Sequence, residues 1–207
     1  PDHAVLVSGG SAYISGSTAP AAAPQPLVPV KYEPPVPAIG NFSRSSSLVI
    51  NSGVYHFKSW KTSSSAVITF RGDVTLYVDG DFDITGQSKI VVDTGATVIL
   101  YHRGTNLKIT GGGLINVDGK PASFRAYSVG TNVSFTGGSG FHGAIYAPNA
   151  LVTPTGTTDI FGSFVGRQIK ISGGARFRET EAVLADIADA WARQRRRAAG
   201  RGRPRPA

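Results

Sequence analysis

The stretch Gly143-Ala-Ile-Tyr-Ala-Pro-Asn-Ala-Leu-Val152 decides how the chain is read, because it returns 19 residues later as Gly162-Ser-Phe-Val-Gly-Arg-Gln-Ile-Lys-Ile171. Gly143 matches Gly162, Ala144 matches Ser163, Ile145 matches Phe164, Tyr146 matches Val165, Asn149 matches Gln168 and Val152 matches Ile171. Carried backwards, the same step aligns Leu107, Ala126, Ile145 and Phe164 in one apolar column and Val133, Val152 and Ile171 in another. Short strand-like runs and glycine turns repeating at about 20 residues are the signature of a coil of stacked strands. The expected fold is all-β: a right-handed parallel β-helix (solenoid) with turns of about 19 residues, each column being a line of side chains in its core.

Outward from that repeat, the strongest alternation is Asp73 to Thr85. Val74, Leu76, Val78, Phe82 and Ile84 fall on one face, and Asp73, Thr75, Tyr77, Asp79, Asp81, Asp83 and Thr85 on the other. Further short runs precede and follow it, punctuated by glycines such as Gly95, Gly104 and Gly111-Gly112-Gly113. Strands this short bury a face only when successive turns stack. Five segments result: a first solenoid turn at 1–18, a Pro/Ala-rich surface excursion at 19–40, the solenoid body at 41–178, an amphipathic helix at 179–196 and a disordered Arg-rich tail at 197–207. Prolines keep the second segment out of a sheet interior. Val183, Ile187 and Trp191 at i, i+4 and i+8 give the fourth segment a helical apolar stripe, expected to cap the end of the coil.

The formal net charge of +8 belongs to the tail. Residues 191–207 hold seven arginines and no acid, which leaves 14 basic against 13 acidic residues elsewhere. Arg195, Arg196, Arg197, Arg201 and Arg203 are therefore the candidates for polyanion binding. Gly200-Arg-Gly-Arg-Pro204 has the form of a minor-groove arginine segment, but it stands once beside a neutral body, so no nucleic-acid partner is expected. Cysteine is absent, which excludes disulfides and thiolate metal sites. No run approaches the roughly 18 apolar residues of a membrane helix. Methionine is absent even at position 1, so the chain reads as a processed product whose anchor or signal would lie upstream.

Gly143-Ala-Ile-Tyr-Ala-Pro148, Gly162-Ser-Phe-Val-Gly-Arg-Gln-Ile-Lys-Ile-Ser-Gly173, Ser52-Gly-Val-Tyr55 and Val74-Thr-Leu-Tyr-Val-Asp-Gly-Asp-Phe-Asp-Ile-Thr-Gly86 resemble an uncharacterised bacterial solenoid domain. That domain is carried by PilX-like pilus-assembly proteins and other exported envelope proteins. The resemblance runs over about residues 4–182 and is shared more faintly with ice-binding and bactofilin-type solenoids. It implies a β-helix at the periplasm, cell surface or outside the cell, with no catalytic residues to carry over. The chain departs from it at Phe177-Arg-Glu-Thr-Glu181, where an aromatic-Asp pair is usual.

Chemistry is sought on the outward faces. Asp79, Asp81 and Asp83, at i, i+2 and i+4 of a strand, are candidate Ca²⁺ ligands, weighed against a solvated acidic face. Tyr77, Tyr101 and Trp60 are candidates for stacking on sugar rings, weighed against packing under a loop. His3, His56, His102 and His142 are scattered without ligand spacing. No nucleophile elbow or phosphate loop occurs. The expectation is a non-enzymatic structural or adhesive module of the bacterial envelope, needing no cofactor and meeting protein or glycan partners at the cell surface. A carbohydrate-binding or carbohydrate-active β-helix and a bactofilin-like polymer-forming or ice-binding solenoid are the alternatives.

Overall fold

The computed structural model describes residues 5–8, 13–15, 27–136, 140–156 and 159–178. Two strands, β1 (Val5–Ser8) and β2 (Tyr13–Ser15), precede an extended segment, 27–39. The coil then begins. Its first turn is β3 (Asn41–Arg44), β4 (Leu48–Ile50) and β5 (Gly53–Phe57); its second is β6 (Ser59–Thr62), β7 (Val67–Phe70) and β8 (Asp73–Val78). The third is β9 (Phe82–Ile84), β10 (Lys89–Val92) and β11 (Thr97–His102), and the fourth β12 (Asn106–Thr110), β13 (Leu114–Asn116) and β14 (Phe124–Ser128). Then β15 (Asn132–Thr136), β16 (Gly140–Pro154), β17 (Asp159–Ser172) and β18 (Arg176–Arg178) complete it, the two long strands bending through corners. Every pairing is parallel.

Each turn contributes one strand to each of three faces, so the chain is a parallel β-solenoid of about six turns. The first face stacks β3, β6, β9, β12, β15, then stretches of β16 and β17. The second stacks β4, β7, β10 and β13, then β16, β17 and β18, and the third β5, β8, β11 and β14, then β16 and β17. Among the described residues the only helix is one 3₁₀ turn, Pro121–Ser123. The capping helix expected at 179–196 and the disordered tail at 197–207 lie outside the described residues.

Alternation builds the core. Val74, Leu76 and Val78 of β8, and Phe82 and Ile84 of β9, are all buried, as the alternating pattern requires. They are joined by the corner Asp79-Gly80-Asp81, so the expected single strand is two strands on different faces. Aromatics fill the beginning of the core: Phe42 stacks on Trp60 at 3.7 Å, and Trp60 on Phe82 at 5.4 Å. Trp60 is 1% exposed, so it is a core side chain and not a sugar-stacking one. Its neighbours Lys58 and Lys61 point to solvent while it alternates inward.

The constant 19-residue step does not hold through the coil. Tyr55, Leu76, Leu100, Ala126, Ile145 and Phe164 form one inward column, with steps of 21, 24, 26, 19 and 19 residues. Leu107 stands instead over Phe82 and under Val133, in the column that Val133 and Val152 continue. Val152 meets Ile169, two residues before the expected Ile171, because the pairing of β16 with β17 shifts register between Ala147 and Leu151. Longer corners, such as Gly111 to Gly113 and the Pro121–Ser123 turn, lengthen the middle turns without disturbing the ladders. At one corner Gly80, Gly104 and Gly130 stack so closely that a Cβ on Gly104 would lie 2.2 Å from the Gly80 carbonyl.

The expected first turn joins the other end of the coil. β1 pairs with β17, through Val5 with Ile169 and Val7 with Ile171, and β2 pairs with β18. Residues 27–39 therefore run back along the outside to reach β3, from Val28 beside Tyr146 to Val36 beside His56.

Candidate functional site

That returning segment, here the strap, organises an elaborate polar cluster on the coil's flank. Residues 30–40 alternate between half-buried and exposed. Pro29, Pro34, Pro35 and Pro37 hold the strap extended and remove donors from it. It lies on the third face, whose outward column reads His56, Tyr77, Tyr101, Tyr127 and Tyr146 from turn to turn. The Tyr77 and Tyr101 rings stack at 4.9 Å and those of Tyr101 and Tyr127 at 5.4 Å. The column exists because a parallel ladder sets equivalent residues about 4.8 Å apart, close to the stacking distance of rings.

Three side-chain contacts fix the strap, and a backbone bond from the Ile39 N–H to the His56 carbonyl at 2.9 Å holds its end. His56 Nδ1 lies 2.7 Å from the Val36 carbonyl, the Tyr32 hydroxyl donates to Asp79 Oδ1 at 2.8 Å, and the Tyr146 hydroxyl donates to the Val28 carbonyl at 2.6 Å. Eight extended residues, about 25 Å long, cover the four steps of about 4.8 Å from His56 to Tyr146. Tyr32 also meets Tyr77 edge-on at 5.7 Å and carries the Arg103 guanidinium 5.0 Å above its ring.

Asp79 is the centre of the cluster. Its Oδ1 receives the Tyr32 hydroxyl, His56 Nε2 at 3.0 Å and Arg103 Nη2 at 3.1 Å. Burial works to raise its carboxyl, but hydrogen bonds from His56 and Tyr32 and the charges of His56 and Arg103 together hold it below the ordinary value. Both nitrogens of His56 face oxygens that only accept, the Val36 carbonyl and Asp79 Oδ1. The Tyr32 phenol is pushed well up, by burial first and then by its bond to Asp79. Tyr77 is raised as well, by burial and then by Tyr101 and Glu33. The cluster is a clasp whose charges answer one another.

The other candidates are placed as follows. Asp81 Oδ1 accepts from the Asn106 amide N–H at 2.9 Å and Oδ2 from Asn106 Nδ2 at 2.8 Å; Asn132 Nδ2 continues this ladder to Asn106 Oδ1. Asp83 stands in register between Lys61 and Lys108. Asp79 and Asp81 therefore have separate partners, and among the described residues no cluster of three His, Asp or Glu side chains could hold a metal ion. Tyr77 and Tyr101 are half-buried members of the ladder. Arg195, Arg196, Arg197, Arg201 and Arg203 lie outside the described residues.

The sequence reading missed a buried pair. His102 and Ser128 are both 0% exposed, with His102 Nδ1 2.8 Å from Ser128 Oγ, which accepts the Gly130 N–H at 3.1 Å. Burial lowers the His102 pKa to about 4, so the ring is neutral at pH 7. Enclosed in the core, the pair anchors a corner. Its signal was in the sequence only as polar residues at inward positions. Among the described residues no helix is long and apolar enough to cross a membrane.

Residues 36–185 match the model of a family described as a domain of unknown function, DUF7305. The chain belongs to that family. The matched DUF7305 span starts inside the strap, so β1, β2 and the Tyr32 end of the strap precede it. No curated protein and no solved structure matches the chain.

Proposed function

We propose that this DUF7305 chain is a non-enzymatic structural and adhesive module of the bacterial cell envelope, placed at the periplasm or cell surface, which docks partners on its second face. The observation that carries this reading is the outward column of that face, Val49, Thr69, Val91, Ile115, His142 and Phe161 in successive turns. Val49 is 43% exposed and Ile115 39%, with Val117 beside it at 52%. A largely apolar rank on a parallel sheet, interrupted by Thr69 and His142, is a surface suited to docking rather than to chemistry. The strap, in contrast, occupies the tyrosine ladder of the third face.

A glycan-binding reading is the alternative, favoured by the His142 and Phe161 rings, which stack at 4.6 Å and 1° on the same face. Co-sedimentation with isolated cell envelopes tests the first reading. Wild type is expected in the pellet, and Ile115→Glu with Val91→Lys in the supernatant at unchanged circular dichroism. Equal pelleting of both excludes the second face. Binding to purified cell-wall glycan that depends on His142 and Phe161, without dependence on Ile115, selects the alternative.

A further inference from the structure

Two features meet at one end of the coil. The first is an open edge. Among the described residues nothing pairs with the outer side of β3 or β4, which pair only inward with β6 and β7, whereas the outer side of β5 meets the strap, whose Ile39 N–H donates to the His56 carbonyl at 2.9 Å. Exposed edges are ordinarily blunted by lysine, proline or a covering segment. Residues 41–57 contain no proline and no lysine, and Arg44 and His56 are their only basic side chains. Val49 and Val54, 43% and 46% exposed, flank the edge. The second feature is the root of the strap. The chain turns from strap to β3 at Gly40, with φ +114° and open space where a Cβ would stand.

We propose that the chain forms a twofold dimer in which two copies meet at their first turns and exchange straps. If the chain straightens at Gly40, the strap continues past its own open end instead of folding back beside it. It then runs along a second coil whose first turn faces the first. There it meets the same partners in the same order: His56, Asp79 with Tyr77, and Tyr146. The strands β1 and β2 that it carries reach β17 and β18 of that copy. Every contact of the closed chain is re-formed between chains, which is the economy of segment exchange. The exchange adds one thing the closed chain lacks, since the edges of β3 and β4 from the two copies come together. Closure within one chain is favoured at low concentration and exchange at high concentration. A second copy is the fitting occupant because it presents two edges with the same spacing, whereas a single peptide strand would pair with one.

The chain has no cysteine, so single cysteines report position without background. Two full-length variants with different tags are prepared: Glu33→Cys on the strap, which neighbours Tyr77, and Arg103→Cys on the coil, whose side chain lies over Tyr32. They are refolded together at high concentration and treated with a short bismaleimide. A cross-linked species carrying both tags is expected, together with a solution mass about twice 21.6 kDa for wild type. A control chain carrying both cysteines reports closure within one chain. If that control links only to itself, the mixture gives no two-tag species, and wild type keeps the mass of one chain at every concentration, the proposal is overturned. A doubled mass with cross-links only inside single chains also overturns it, since that dimer would not exchange straps.

Discussion

The Tyr32 hydroxyl and Asp79 Oδ1, 47 residues apart in the chain, are joined by a 2.8 Å hydrogen bond that fastens the strap to the second turn. Removing only the hydroxyl, in Tyr32→Phe, leaves Asp79 its His56 and Arg103 partners and is expected to cost about 1 kcal/mol. Asp79→Ala strands three donors and is expected to cost about 3 kcal/mol. Urea midpoints measure both. Costs that simply add in the double variant would show that the two groups are not coupled.

His102 predicts a specific acid sensitivity. Its pKa of about 4 in the folded state lies below the ordinary 6.5, so between these values the unfolded chain binds the extra proton. Stability is therefore full above about pH 6.5 and falls as the pH drops to about 4, by about 3 kcal/mol. His142, also lowered by burial, contributes in the same direction. The depressed carboxyls of Asp79 and Asp81 act lower, losing their contribution as the pH falls below the ordinary carboxylate range. A His102→Gln chain should show a flatter stability profile between pH 6.5 and 4, and an unchanged slope would contradict the assignment.

Gly162 and Gly119 separate crowding from backbone strain. Both have positive φ, +143° and +63°. A Cβ on Gly162 would sit 1.8 Å from the Gly143 carbonyl oxygen of the turn below, whereas one on Gly119 meets nothing within 4 Å. Gly119→Ala is expected to cost about 1 kcal/mol. Gly162→Ala has to push neighbouring turns away from each other, and should leave the chain largely insoluble or lower its melting temperature far more. Equal effects would show that the turns can separate at little cost.

Trp60→Ala empties the space between Phe42 and Phe82 and is expected to cost about 3–5 kcal/mol, read by thermal or denaturant unfolding. The buried indole should also show weak fluorescence quenching by acrylamide in the folded protein. Strong quenching of Trp60 in a Trp191→Phe background would contradict its enclosure.

Calcium should leave the melting temperature unchanged. Both oxygens of Asp81 are occupied by Asn106, Asp79 is held by three donors, and Asp83 stands between two lysines. A calcium-dependent rise abolished by Asp81→Asn would establish a site there.

The fold was legible where one face of a strand is buried. Val74, Leu76 and Val78 alternate with polar residues, and a two-residue period leaves no choice of which side faces inward. Turn length was not legible in the same way, because corners add residues without moving the ladders. A constant step thus placed Leu107 over Ala126 when its neighbours are Phe82 and Val133. Polar core residues were hidden for a different reason. Thr62, 0% exposed and 3.1 Å from Ser88 Oγ, satisfies its hydroxyl inside, so hydrophobicity alone misassigns it. The clasp was the least legible feature. Prolines showed that 27–39 is not a ladder strand, but no local pattern joins Tyr32 to Asp79 or Val28 to Tyr146, 118 residues away.

The pairing of β1 with β17 and β2 with β18 imposes an order of events on synthesis. Residues 5–15 leave the ribosome before the strands that receive them exist. The intervening turns can stack as they emerge, each on the one before, and need nothing from the opening residues. Those residues must wait, unpaired and open to other strands or chaperones, until 159–178 have been made. The last event of folding is thus the attachment of residues made well before their partners, which makes that closure the step most exposed to competition from a neighbouring nascent chain.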